Sequence, residues 1–293
     1  MTLETLILDS EPLIRLGFFI GVFAAVALWE VLAPRRALTL GRTVRWASNL
    51  GIVALNTLIV RLLFPAAAVG VAAFGAAHGW GVFNLIDLPL WMAILLAVVA
   101  MDFVIWLQHV MVHAVPLLWR LHRVHHADLD YDVTTGARFH PLEIVLSMLI
   151  KFATIVVLGP PVVAVVIFEV LLNATSMFNH GNVRLPAAAD RVLRLFVVTP
   201  DMHRVHHSVY EVETNSNYGF CLPWWDRLFG TYRAQPRDGH VGMLIGLTEF
   251  RDARQADRLA GMLAMPFRDT PSAHVINRRD KVAPEDRGRQ DAG

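Results

Sequence analysis

Histidine is the residue type this chain gathers for chemistry. Thirteen occur, and five crowd residues 108–126, QHVMVHAVPLLWRLHRVHH, at the end of an apolar run. On helices His109 and His113 stand i,i+4, and His122, His125 and His126 stand i,i+3,i+4, so the spacing predicts that each set projects from one side. The second set then returns: LHRVHH at 121–126 is answered by MHRVHH at 202–207, which carries His203, His206 and His207. Protonated imidazoles this close would repel one another, and burying them unpaired would be costly. A shared cation removes both problems. One zinc or iron site takes about three or four protein ligands, so eight clustered histidines predict a two-metal site. An isolated histidine is more often a hydrogen-bonded core residue, which is the reading for His78, His240 and His274.

Other polar residues fall in register with these clusters. Asp102, Trp106, His109 and His113 share one helical face, and an intramembrane carboxylate is a functional candidate by default. Asp102 is expected either to orient a ligand histidine from behind or to bond a neighbouring helix. A second polar stripe, Glu169, Asn173, Ser176 and His180, should face a bundle interior. His180 is expected there as a further metal ligand, with Glu169 and Asn173 as candidate supporting groups. For His140, just before Pro141, three readings stay open: a helix cap, a partner of a ligand, or a tenth ligand.

These residues need elements to hold them, and composition says where the elements lie. The 293 residues are 55% hydrophobic and 17% charged, with a mean hydropathy of +0.46, which places the chain in a membrane. A net charge of +1 and no basic tract interleaved with aromatics exclude a nucleic-acid partner. A single cysteine, Cys221, excludes an intrachain disulfide and a cysteine-based cluster, leaving nitrogen and oxygen ligands. Glu4, Asp9 and Glu11 ahead of the first apolar stretch are unlike the basic start of a signal peptide.

Apolar stretches at 13–32, 49–77 and 90–112 are long enough to span a bilayer, the second interrupted by Arg61 and Pro65. A fourth, 142–178, is divided by Gly159-Pro160-Pro161 and predicts a helical hairpin. Arg35, Arg36, Arg42 and Arg45 follow the first span, whereas 78–89 holds no Lys or Arg, so the positive-inside rule puts the first loop in the cytoplasm. All three histidine clusters then reach the cytoplasmic side. The expected architecture is an all-α multi-pass membrane protein of about four transmembrane helices, including the Pro-broken hairpin, with a cytoplasmic helical cap holding the dimetal site. Residues 1–248 are expected to form this catalytic body, and 249–293 a polar tail, partly disordered. Phe220, Trp224, Trp225 and Phe229 read equally well as interfacial aromatics or as packing that props the ligand helix, and packing is the expected role.

The pattern HxxxH (His109, His113), HxxHH (His122, His125, His126) and HxxHH (His203, His206, His207), interleaved with membrane spans, resembles the fatty acid hydroxylase and sterol desaturase superfamily of membrane-bound, histidine-rich di-iron oxygenases. The likeness extends to RFHP at 138–141, NHGN at 179–182 and NYGFCLPWWDRLFGTY at 217–232, and covers roughly 90–233. It implies two iron ions held by the eight motif histidines, which are then the catalytic residues, and O2 as co-substrate. The implied reaction is hydroxylation or desaturation of a C–H bond in a membrane lipid such as a sterol, fatty acyl or ether lipid entering from the bilayer. Electrons must come from a separate donor, a reductase, ferredoxin or cytochrome b5-like protein, because the chain has no Gly-rich nucleotide turn and no Cys-ligated cluster. Two rivals remain. A membrane metal-dependent hydrolase would need a catalytic Glu beside a ligand, and HExxH is absent. A non-catalytic metal-binding or transport protein would place ligands along a mid-membrane path.

Overall fold

The computed structural model describes residue 7, residues 10–272 and residues 274–276, and these form helices and connecting loops with no β-strand among the described residues. Seven helices carry the architecture: α1 (Glu11–Leu32), α2 (Arg42–Leu63), α3 (Ala67–Ala77), α4 (Leu90–Ala114), α5 (Pro116–His126), α6 (Pro141–Leu158) and α7 (Val162–Asn179). Five stretches are long and apolar enough to cross a membrane, and α6 and α7 supply two of them. The hairpin that the sequence treats as one membrane unit therefore has two arms of 18 residues, each ~27 Å long and close to a hydrocarbon core. The chain is an integral membrane protein.

Local chemistry sets the breaks. Pro65 has no N–H to continue α2, so the long second stretch divides into α2 and α3. Gly159 ends α6 at φ +60, and a Cβ there would lie 2.2 Å from the Trp80 carbonyl oxygen. Only glycine lets the hairpin tip press against the α3–α4 connection. Small residues allow the helices to close: Ala68 and Ala72 of α3, Ala97 of α4 and Ala164 of α7 form one core with Met101, Ile155 and Phe168. α7 is the central strut, packed on α1, α4 and α3.

The remaining helices are short and belong to the cap: α8 (Ala187–Leu193), α9 (Pro200–His206), α10 (Glu211–Thr214), α11 (Trp224–Leu228), α12 (Gly239–Gly242), α13 (Ala253–Ala256) and α14 (Leu259–Ala264). The division expected at 248 corresponds to no break in packing. Phe250, Met262, Met265 and Val275 are buried in one cluster with Ile52 of α2 and Trp119 and Val124 of α5. Arg123 fixes this segment from within the first HRVHH, donating to the carbonyls of Met265, Arg268 and Thr270. A weak amphipathic pattern is enough here because α5 offers a matching apolar groove. Residues 277–293 of the expected tail lie outside the described residues.

Candidate metal centre

α4 runs into the cap and delivers His109 and His113 at its last turns. Pro116 then starts α5, which carries His122, His125 and His126, while His180 follows α7 as its C-cap residue, and α9 carries His203 and His206 with His207 as its C-cap residue. The nine histidines form two groups, in each of which one ligand nitrogen per residue lies within 4.8 Å of all the others. The first group is His109, His113, His122, His126 and His206; the second is His125, His180, His203 and His207. All are at most 2% exposed, so no water competes for their nitrogens. His78, His240 and His274 join neither group.

The expectation that each HxxHH set serves one side is corrected by this division. His122 and His126 enter the first group while His125 enters the second. In the second motif His203 and His207 stay together and His206 crosses to the first group. Helix geometry explains it: positions i and i+4 lie ~40° apart around the axis, whereas i+3 and i+4 lie ~100° apart. Adjacent imidazoles must therefore look toward different centres, and the two motif copies exchange one ligand each.

Hydrogen bonding fixes which nitrogen faces inward. His109 Nδ1 lies 2.7 Å from the Tyr218 carbonyl oxygen and His206 Nδ1 lies 2.7 Å from that of Ser216. A carbonyl only accepts, so both Nδ1 atoms carry the proton and both Nε2 atoms present lone pairs. Those two Nε2 atoms stand 3.0 Å apart, a contact that is repulsive between two lone pairs and becomes favourable with a cation between them. His180 is arranged alike: Nδ1 donates to the Ser176 carbonyl at 2.7 Å, and Nε2 stands 3.2 Å from Nε2 of both His125 and His207. The Nε2 atoms of His113, His122, His126 and His203 are buried without a hydrogen-bond partner. At ~1–3 kcal/mol for each unsatisfied polar atom, four would offset much of the ~5–15 kcal/mol stability of a folded protein. The donor set fits a pair of metal ions. Burial first, then neighbouring imidazoles, pushes His125, His126, His203, His206 and His207 well below the usual histidine range, which keeps them neutral. Burial lowers His180 to about 4.

Two functional residues escaped the sequence reading. Glu143, in the first turn of α6, accepts from His122 Nδ1 at 2.6 Å with both side chains buried. Among the described residues it is the one carboxylate bonded to any of the nine histidines, and it turns His122 Nε2 toward the first group; an acid in the first turn of a largely apolar helix was the available signal. Gly136 lies under His180, where a Cβ would approach its Nδ1 to 2.9 Å and the Ser176 carbonyl to 2.7 Å. Replacing Glu143 with Gln keeps an acceptor but removes the charge, and the expected result is a ~10–100-fold loss of metal affinity with the helix content unchanged. Metal retention against a graded chelator measures it, and retention equal to the parent protein would overturn the role.

The supporting residues expected from sequence stand elsewhere. Asp102 accepts from Trp225 Nε1 at 2.8 Å and from Leu222 N, and among the described residues no histidine is bonded to it. It ties α11 to α4, as its second reading allowed. Glu169 pairs with Lys151 at 2.8 Å and Arg15 at 3.2 Å, and Asn173 donates to the Glu169 carbonyl within its own helix. The polar stripe of α7 does face other helices, but only its end, at Ser176 and His180, reaches the centre. His140 caps α6, accepting from Leu142 N, and faces the Leu263 carbonyl through Nε2. Of the aromatics expected to pack, Phe229 stacks on Trp106 at 4.8 Å, Trp225 meets Phe103 at 4.9 Å and Phe220 meets His109 at 5.0 Å, whereas Trp224 is exposed.

A buried two-lobed histidine cage at one end of an all-α membrane bundle is a narrow structural class. Residues 94–231, a little under half of the chain, match the fatty acid hydroxylase family, and this region is similar to that family. It is 28% identical to the ornithine lipid hydroxylase OlsE of Rhizobium tropici, over 66% of this chain and 56% of that protein. It is also 28% identical to the alkylglycerol monooxygenase of Xenopus tropicalis, over 63% and 41%, and 29% identical to the human alkylglycerol monooxygenase, over 53% and 34%. The aligned part thus spans from about a third to just over half of these relatives. No solved structure matches the chain.

Proposed function

We propose that the chain is an O2-dependent di-iron oxidoreductase that hydroxylates a C–H bond of a membrane lipid. The observation that carries the reading is the pair of protonated-Nδ1 imidazoles, His109 and His206, whose Nε2 lone pairs confront each other at 3.0 Å inside a set of nine buried histidines. His109, His113, His122, His126 and His206 would hold one iron, and His125, His180, His203 and His207 the other. Bound there, the iron pair supplies redox chemistry with O2 that protein side chains lack.

The chain's own groups prepare that chemistry. The carbonyls of Tyr218, Ser216 and Ser176 lock three imidazole tautomers, Asn215 Oδ1 lies 3.2 Å from His113 Nδ1, and Glu143 orients His122. Complete burial excludes bulk water from the reacting atoms. The relatives' names specify ornithine lipid and alkylglycerol, which supports a lipid with a polar head and an alkyl chain as substrate. A separate electron donor, a reductase, ferredoxin or cytochrome b5-like protein, completes the reaction. Cytoplasmic orientation is supported by the basic loop after α1, which docks on the cap: Arg35 pairs with Asp201 and Arg36 donates to the Met243 carbonyl.

The test is to measure iron by inductively coupled plasma and to compare the lipids of a host with and without the chain. About two metals per chain and a hydroxylated lipid formed only in oxygen are expected. Oxygen-independent cleavage of a lipid would replace this reading with hydrolysis.

A further inference from the structure

The cap bears an apolar ledge on the side of α8 and α11. Val192, Leu195, Phe196, Trp224, Leu228 and Phe229 are between 43% and 70% exposed, and they are contiguous because Trp224 Nε1 donates to the Leu195 carbonyl and Arg227 to that of Arg194. For a surface facing water such a patch would be unfavourable. Its height in the fold supplies the reason for it. Trp225 and Phe229 pack on Phe103, Phe229 also stacks on Trp106, and Asp102 and Asp226 bond Trp225 and Trp106 across the contact. Residues 102–106 lie in the middle of the membrane-spanning helix α4. Phe103 is eleven residues before the last residue of α4, which is ~16 Å along the axis. α11 therefore lies beside the span at the depth of its middle turns, where the outward side of α4 meets lipid, and its own outward side continues that surface.

We propose that this ledge is immersed in the lipid leaflet on the metal-centre side, with exposed Arg191 and Arg227 at its edge meeting lipid phosphates. The arginines fit this placement: both are exposed, and the neighbouring acids, Asp190 and Asp226, are turned to Thr199, Arg194, Trp106 and backbone amides. Long cationic side chains at an apolar margin reach headgroups while their stems stay in the apolar layer. The cap is thereby anchored by its own surface as well as by the spans.

Site-directed nitroxide labelling of the full chain in anionic phospholipid vesicles tests this. Val192→Cys, Phe196→Cys and Leu228→Cys are labelled one at a time; native Cys221 is buried. Leu95→Cys on the exposed face of α4 and Arg254→Cys on the exposed cap calibrate lipid and water. The ratio of oxygen to nickel-chelate accessibility at the three ledge sites is expected to match that at 95 and to exceed that at 254 several-fold. A ratio equal to that at 254 at any of the three overturns the proposal, and so does dipolar broadening between labels, which would assign the ledge to a second copy of the chain. The readout needs neither metal nor turnover, so it stands apart from the oxygenase reading.

Discussion

Exchanging His125 for Ala is expected to abolish turnover and lower bound metal from about two ions per chain toward about one, because it leaves three histidines in a group of four and a site held in fixed geometry needs about four ligands. The sharper result concerns which ion is lost. His206 is grouped with His109, His113, His122 and His126, and His125 with His180, His203 and His207. His206→Ala should therefore resemble His122→Ala and His126→Ala in its residual metal spectrum. His125→Ala should resemble His203→Ala and His207→Ala. If the two HRVHH copies each served one ion, the variants would sort by motif, with His122, His125 and His126 alike. Inductively coupled plasma gives the stoichiometry and Mössbauer spectra of iron-loaded variants give the grouping. Sorting by motif, or metal content unchanged in His125→Ala, would sink the crossed arrangement.

The difference between sorting by motif and sorting by centre also marks how far the sequence could be read. The candidate ligands were legible because their pattern is local: HxxxH and HxxHH fix residue types within one or two helical turns, and the structure gathers all nine histidines into two buried groups. The all-α membrane body was legible from apolar length alone. What was not legible depends on partners distant in the chain. Asp102 has the right helical phase to support His109, yet its acceptor oxygen meets Trp225, 123 residues away. Glu169 shares a stripe with His180, but Lys151 and Arg15 neutralise it several turns from the centre. Phase around a helix names a face and leaves the neighbour and the height unspecified. The segment after Glu249 reads as polar on average, and average polarity hides the few residues, Phe250, Met262 and Met265, that fill the groove on α5.

Arg45→Leu is expected to be the most destabilising change away from the histidines. Arg45 is 1% exposed and bonds Asp128 through Nε at 2.8 Å and Nη2 at 3.0 Å, and Asp132 through Nη1 at 2.7 Å. Asp128, Asp132 and Arg138 are also buried, and Arg138 reaches Asp257 at 3.0 Å. Burial alone would raise the Asp128 carboxyl, but Arg45 and Arg138 more than reverse this and hold it well below the usual carboxylate range. Removing Arg45 leaves two buried carboxylates short of a counter-charge, at a cost of ~3–5 kcal/mol, and thermal unfolding in detergent should move down by on the order of 10 °C. A depressed carboxylate contributes stability above its unfolded pKa and loses it as pH falls, so the parent protein should weaken below pH ~4. That acid limb should be shallower in Arg45→Leu. The second effect is on the metal. Asp128 and Asp132 bond Thr135 and Thr134 and so hold the turn that presses Gly136 against His180. Loosening it should lower occupancy in the His125, His180, His203 and His207 group before the five-histidine group. Unfolding and metal content both matching the parent would show that this ion network neither stabilises the cap nor braces the second group.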